Sequence, residues 1–256
     1  MIGVVIPAHD EEAHIAATLS AVKAAAADAE LQGEAVRVVV VLDACADGTA
    51  RLAREAGAWT LPIAAQNVGA ARAAGAEWLL AAGARWLAFT DADTRVDTHW
   101  LAAQLALQAD AVCGSVAVDD WSAHGSLAGP LQAHFDDHYC DADGHRHIHG
   151  ANMGVSARAY RRAGGFAPLR CSEDVALVNA LERSGARIAW SASPRVWTSA
   201  RPQARARGGF GDTLLAMARS LSDSRPDVPG PGAAAASPSL GALLLPSPTC
   251  AAAAAR

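Results

Sequence analysis

Short apolar runs alternate with longer stretches of helical periodicity through the first half of the chain. Val4–Ile6 reads as a buried strand and Glu11–Ala29 as a helix. Val36–Leu42 is a valine-rich run of the kind buried on both faces of a parallel sheet. Gly48–Ala56 reads as a helix, Trp59–Ile63 as a strand, Gly69–Ala82 as a helix and Trp86–Thr90 as a strand. A helix over Asp97–Gln108 and a strand over Ala111–Val118 close this half. Such alternation predicts an α/β fold with a mostly parallel twisted sheet flanked by helices, joined by right-handed crossovers.

The second half is less regular. Helices are expected over Leu127–Tyr139, Ser156–Ala163, Glu173–Ser184 and Phe210–Leu221, with a strand at Arg187–Trp190. Gly164-Gly165 is a helix stop. Asp141–His149 is polar and reads as a loop, as does the basic segment Arg201–Gly209. From Arg225 onward the chain is rich in Pro, Gly, Ala and Ser and nearly free of charge. A segment of that kind buries too little apolar surface to offset its ordering entropy. The expected organisation is one domain over 1–222, with a regular half at 1–118 and a less regular half at 119–222, followed by a disordered tail at 223–256.

Composition narrows the function classes. The 256 residues carry a formal net charge of −5 and no long basic run, which argues against a nucleic-acid partner. Five widely spaced cysteines without a CxxC pair favour a reducing compartment over a disulfide framework. Neither a signal peptide nor an apolar run of the ~18 residues that span a bilayer is present in the sequence, so a cytoplasmic protein is expected, with peripheral membrane contact left open.

Candidate chemistry gathers at predicted strand ends, where ligands bind in open α/β sheets. Asp91 and Asp93 end the fourth strand, two residues apart, and can face one point. Hard divalent cations take such oxygens and keep positions open for substrate phosphates. A cap on the helix near Asp97 is the competing reading. Pro7 closes the first strand, and Asp10, Glu11 and Glu12 follow it, suited to a nucleoside contact or to a helix N-terminus. Asp43 ends the second strand, where it can read a base or ribose. Asn67 and Gly69 open a helix that can approach a phosphate, and Arg72 can pair with phosphate or with Asp91.

Together these segments resemble the family 2 glycosyltransferases, nucleotide-sugar enzymes of GT-A fold. Pro7–Glu12 is similar to that family's P-x-x-N-E-E run and Asp43–Thr49 to its D-D-G-S-x-D-G-T run. Asn67–Gly75 is similar to its N-x-G helix start, and Asp91–Asp93 to its DxD. Asp10 stands where asparagine is usual, and Leu42 where the first aspartate of a pair is usual. Gly150–Gly154, Arg158, Gly164-Gly165-Phe166 and Glu173-Asp174 look like the family's acceptor-side segment. The resemblance covers residues 1 to about 210 and implies that 1–118 is a nucleotide-sugar-binding half and 119–222 an acceptor half. It implies transfer of a sugar from a UDP- or GDP-type donor, with Mg²⁺ or Mn²⁺ on Asp91 and Asp93. It implies Asp174, beside Glu173, as the general base of an inverting displacement on an unknown acceptor. On the residues alone, Glu173 and Asp174 also suit a helix N-terminus capped by Ser172.

Three further features stand apart. His134, His138, Cys140, His145, His147 and His149 fit no common zinc spacing and are expected to line the acceptor pocket, with His149 against the acceptor. Arg201, Arg205 and Arg207 make a basic loop that can close over a diphosphate. Trp121 and Trp197 can stack on sugar or base. Rival classes fare worse. A dinucleotide-dependent oxidoreductase needs GxGxxG after the first strand, where Pro-Ala-His-Asp-Glu-Glu stands. A nucleotidyltransferase lacks its glycine-rich basic loop there. A non-catalytic protein of the same fold is disfavoured by the intact DxD and Glu-Asp pair.

Overall fold

The computed structural model describes residues 1–202 and 214–217. The expected tail, Arg205, Arg207 and most of the predicted helix at 210–221 lie outside the described residues; 214–217 is helical. The strands are β1 (Ile2–Ala8), β2 (Val36–Asp43), β3 (Trp59–Ile63), β4 (Trp86–Phe89), β5 (Thr94–Val96), β6 (Ala111–Ala117), β7 (Met153–Ser156) and β8 (Ile188–Thr198). The helices are α1 (Ile15–Ala26), α2 (Thr49–Glu55), α3 (Val68–Ala81), α4 (Trp100–Ala106), α5 (Ala128–His138), α6 (Ala157–Ala163) and α7 (Glu173–Arg183).

One eight-stranded sheet runs in the order β3-β2-β1-β4-β7-β6-β8-β5. The first-half strands β1 to β4 are all parallel. β7 enters antiparallel between β4 and β6, and β5 closes the far edge antiparallel to β8. The fold is therefore the mixed α/β sheet of the GT-A type, parallel where the sequence alternates most cleanly.

The strands alternate between two cores. Val4, Ile6, Val40, Leu42, Ala88 and Val112 face a layer holding α1, α2 and α4. Val5, Val39, Val41, Leu87, Phe89 and Cys113 face α3, α6 and α7. Burial on both faces explains the unbroken apolar runs of β1, β2 and β4.

Several boundaries differ from the sequence reading for identifiable reasons. β1 continues through Pro7, which pairs in register with Val41. β4 stops opposite Val5, and the Val5 carbonyl already reaches the Thr90 amide. Pro7 shares the direction of Val5, so its missing N–H points beyond the end of β4 and costs no ladder bond. α1 begins at Ile15 rather than Glu11, because the Glu11 carbonyl accepts the His14 and Ile15 amides in a preceding turn. β5 and β7 were not expected. They are three and four residues long, too short for periodicity to declare them. β8 runs to Thr198, well past Trp190, across a register shift between Gly114 and Ser115 of β6.

Candidate functional site

The topology brings the carboxyl ends of β1, β2, β4, β6 and β8 and the start of β7 to one edge. The loops there carry Asp10–Glu12, Asp43–Thr49, Asp91–Asp93, His149–Asn152 and Ser199–Arg201.

The first two loops are laced together. Asp10, in left-handed backbone (φ 53°), accepts the Ala46 amide at 2.7 Å and the Asp47 amide at 3.3 Å. Glu12 accepts the Gly48 amide at 2.7 Å, while Asp47 accepts the Glu12 amide at 3.0 Å. The Glu11 amide donates to Thr49 Oγ1. The acidic run therefore braces the loop before α2 instead of opening α1. Asp43 is buried, and its carboxylate takes three backbone amides, from Ala65, Gln66 and Asn67, at 2.7–2.8 Å. It fixes the turn leading into α3. Asn67 caps that helix by accepting the Ala70 amide and holds the Pro168 carbonyl through Nδ2. The Gly69 amide is taken by Leu169, so the α3 start is covered by the segment before α7.

Arg72 lies on α3 and is 3% exposed. Its guanidinium pairs with Asp91 at 2.5 Å and closely with Glu173. Phe166 lies over it, 5.9 Å from the ring centre. Gly150 packs against the guanidinium so tightly that a Cβ there would stand 2.5 Å from its central carbon. Neighbouring carboxylates outweigh burial and raise the Arg72 pKa, whereas burial raises that of Glu173. Asp174, one residue on, accepts the Gly150 amide at 2.8 Å and the Val175 amide at 2.8 Å. Ser172 does not cap α7: it is in left-handed backbone (φ 58°) without a side-chain cap bond. A β-carbon residue held there is strained, as residues before functional groups often are.

A second arginine closes the other side. β5 pairs with β8 so that Thr94 faces Thr198, with their hydroxyls 3.0 Å apart. This register sets Asp93 beside the chain leaving β8. There Arg201 forks onto buried Glu11 (2.5 and 2.7 Å) and reaches Asp93 at 3.1 Å. Burial, with Asp91 and Glu11 nearby, pushes the Asp93 carboxyl up to about 6 despite Arg201.

The histidine segment forms an aromatic stack. Tyr139 lies face to face with His147 at 4.2 Å, and His145, His147 and His149 follow at 5.5 and 6.0 Å. Tyr139 Oη accepts the Val116 amide and bonds His149 Nε2 at 3.0 Å. Burial, then His147 and His145, lower the His149 pKa to about 3. Among the described residues, no three His, Cys, Asp or Glu side chains converge to hold a metal. Trp121 is core, packed with Leu131, Ala200 and Leu214. Trp197 carries Arg95 over its ring at 5.7 Å.

The family model for glycosyl transferase family 2 matches residues 3–163. The chain belongs to that family. This glycosyltransferase shares its fold with solved structures of low sequence identity. S. aureus TarS 1–349 in complex with UDP-GlcNAc is 13% identical (TM-score 0.58), the match covering 88% of this chain and 68% of that one. The mannosyltransferase PcManGT from Pyrobaculum calidifontis, with GDP-Man and Mn²⁺, is 16% identical (TM-score 0.57), covering 89% and 65%. Glucosyl-3-phosphoglycerate synthase from Mycobacterium tuberculosis, with Mn²⁺, UDP and glucosyl-3-phosphoglycerate, is 19% identical (TM-score 0.53), covering 87% and 77%. No curated protein sequence matches the chain. No helix among the described residues is long and apolar enough to cross a membrane.

Of the sequence-predicted residues, the structure brings Asp91, Glu173 and Asp174 around Arg72, sets Asp93 beside Arg201, and places Asp43 under the turn into α3. Sequence reasoning missed Arg72's seat on Gly150 and the reach of Arg201 to Asp93. The first signal was present in the glycine ending the histidine segment. The second depends on the β5–β8 register, which no local pattern announces.

Proposed function

We propose that residues 1–222 form one catalytic unit that transfers a sugar from a UDP- or GDP-sugar to an acceptor hydroxyl, with inversion. A cytoplasmic location is part of this reading. The observation that carries it is the meeting, around one buried arginine, of Asp91 from the donor edge with Glu173 and Asp174 from α7. Relatives of the same fold solved with UDP-GlcNAc, with UDP and Mn²⁺, and with GDP-Man and Mn²⁺ support the donor class.

Asp91 and Asp93 supply hard oxygens, and Asp93 is a carboxylate that burial and two neighbouring anions leave poorly compensated. That donor set suits Mg²⁺ or Mn²⁺ with substrate phosphates and water completing the shell, not an all-protein cage. Held there, the cation would neutralise charge growing on the departing diphosphate. Asp174 accepts the acceptor hydroxyl's proton as that oxygen bonds to the anomeric carbon and the bond to the diphosphate breaks. Its two amide bonds aim the carboxylate. Glu173, tied to Arg72, positions rather than reacts. Pro7, Asp10, Glu11 and Asp43 shape the nucleoside edge, Asn67 fixes the adjoining helix start, and Arg201 faces the diphosphate.

Calorimetric titration of UDP and GDP, with and without Mn²⁺, on wild type and Asp93→Ala tests this. Metal-dependent binding of one nucleotide that vanishes in Asp93→Ala is the expected result. Failure of the folded wild-type protein to bind either nucleotide sinks the donor assignment.

A further inference from the structure

Arg201 sits where a cation is needed. Glu11 is 5% exposed and Asp93 14%, and one Arg201 nitrogen lies within 3.1 Å of an oxygen of each, so two carboxylates crowd one small volume. Uncompensated anions are costly in such a place, and a guanidinium meets the need by forking onto one carboxylate while touching a second. The two contacts are unequal. Glu11 receives both terminal nitrogens, at 2.5 and 2.7 Å, and Asp93 receives one of those same nitrogens at 3.1 Å. Glu11 therefore anchors Arg201, and the Asp93 contact is the weaker one, able to break while the fork stays closed. Arg201 follows β8 by three residues, in the chain leaving the strand.

We propose that Arg201 is an exchangeable internal cation: it occupies the charge position at Asp93 in the nucleotide-free protein and yields that carboxylate, while keeping Glu11, when a divalent cation enters. The proposal rests on the assignment of the divalent cation to Asp93. Its consequence is that the free enzyme is built to bind metal weakly, since an ion entering alone must displace a guanidinium. An ion arriving with a diphosphate brings anionic oxygens that the displaced guanidinium can also face, so metal and nucleotide bind cooperatively.

The test is titration of the full chain with Mn²⁺ alone, reading free Mn²⁺ by its paramagnetic resonance signal, on wild type, Arg201→Met and Asp93→Asn. Removing the competing positive charge is expected to tighten Mn²⁺ binding by on the order of tenfold in Arg201→Met. Adding Asp93→Asn to Arg201→Met is expected to abolish that gain. Arg201→Gln provides a second neutral variant should methionine disturb folding. Equal or weaker Mn²⁺ binding in both neutral variants, with Asp93→Asn still abolishing wild-type binding, overturns the exchange and leaves the metal assignment standing. Absence of Mn²⁺ binding in wild type and both neutral variants removes the metal assignment and the exchange with it.

Discussion

Arg72 shows what one residue does when its charge is buried between two others. It is nearly inaccessible, paired with Asp91 and Glu173, and its backbone neighbour across the gap is a glycine. Such a guanidinium is not available to a phosphate; it holds the donor edge and α7 at a fixed separation. Replacing it by methionine keeps volume but strands Glu173, 5% exposed, without a counter-charge. Breaking a buried pair by removing one partner costs about 3–5 kcal/mol. Arg72→Met is therefore expected to lower the urea unfolding midpoint by an amount equivalent to that range. Arg72→Met with Glu173→Gln should recover a sizeable part, because the stranded charge is then gone. Equal loss in the single and double variants would show that the ion pair carries none of the effect. The residue types of this cluster were legible in the sequence, since carboxylates at strand ends and an arginine one turn into a helix declare themselves. Their pairing was not. An arginine that can serve phosphate or carboxylate chooses only when the fold sets both partners in place.

Elements are positioned by contacts at which a single carbon matters. α3 lies against β1 and β2 through Gly75, where a Cβ would come 2.6 Å from Val5 and 2.9 Å from Val41. Both neighbours are β-branched and fully buried, so neither can turn aside. In an open helix Gly→Ala gains about 1 kcal/mol of propensity. Here overpacking costs about 1–3 kcal/mol and is expected to win, giving Gly75→Ala a net loss of about 1 kcal/mol by thermal unfolding. A rise in stability would mean that α3 can lift off the sheet freely. The same tight seating sets Asn67 and Arg72 over the site. Elements with long apolar runs, β1, β2, β4 and β6, were readable because burial on both faces writes itself into composition. β5, β7 and the outer half of β8 were not. Each is held by its neighbours in the sheet more than by its own pattern, and Asn152, whose side chain bonds the Ser115 and Pro194 carbonyls, stitches that region from a loop.

At the scale of the whole molecule, two half-buried groups pull the pH dependence of stability in opposite directions. His149 has its folded pKa depressed to about 3, below the 6.5 of an exposed imidazole. The unfolded chain takes up that proton first, so the stability this group gives is full above pH 6.5 and drains as the pH falls toward 3. Glu34, held down to about 2 by Arg85 and the N-terminal amine, acts in the same sense below pH 4.5. Asp93 is the reverse. Its folded pKa of about 6 stands above 3.8, so its contribution is fully present below pH 3.8 and is lost as the pH rises through 6. Between about pH 4.5 and 6 the slopes of His149 and Asp93, each about 1.4 kcal/mol per pH unit, oppose one another and flatten the profile. Asp93→Asn removes one of them. In chelator-treated protein the variant is expected to be more stable than wild type at pH 7, on the order of 2–3 kcal/mol, with the difference closing toward pH 4. Denaturant unfolding at several pH values reads this directly, and a difference that stays constant with pH would show that the Asp93 carboxylate is not strained by its surroundings. The expected sign follows from the site itself: a carboxylate kept where burial and two neighbouring anions disfavour its charge costs stability, and the divalent cation proposed for this position would recover that cost on binding.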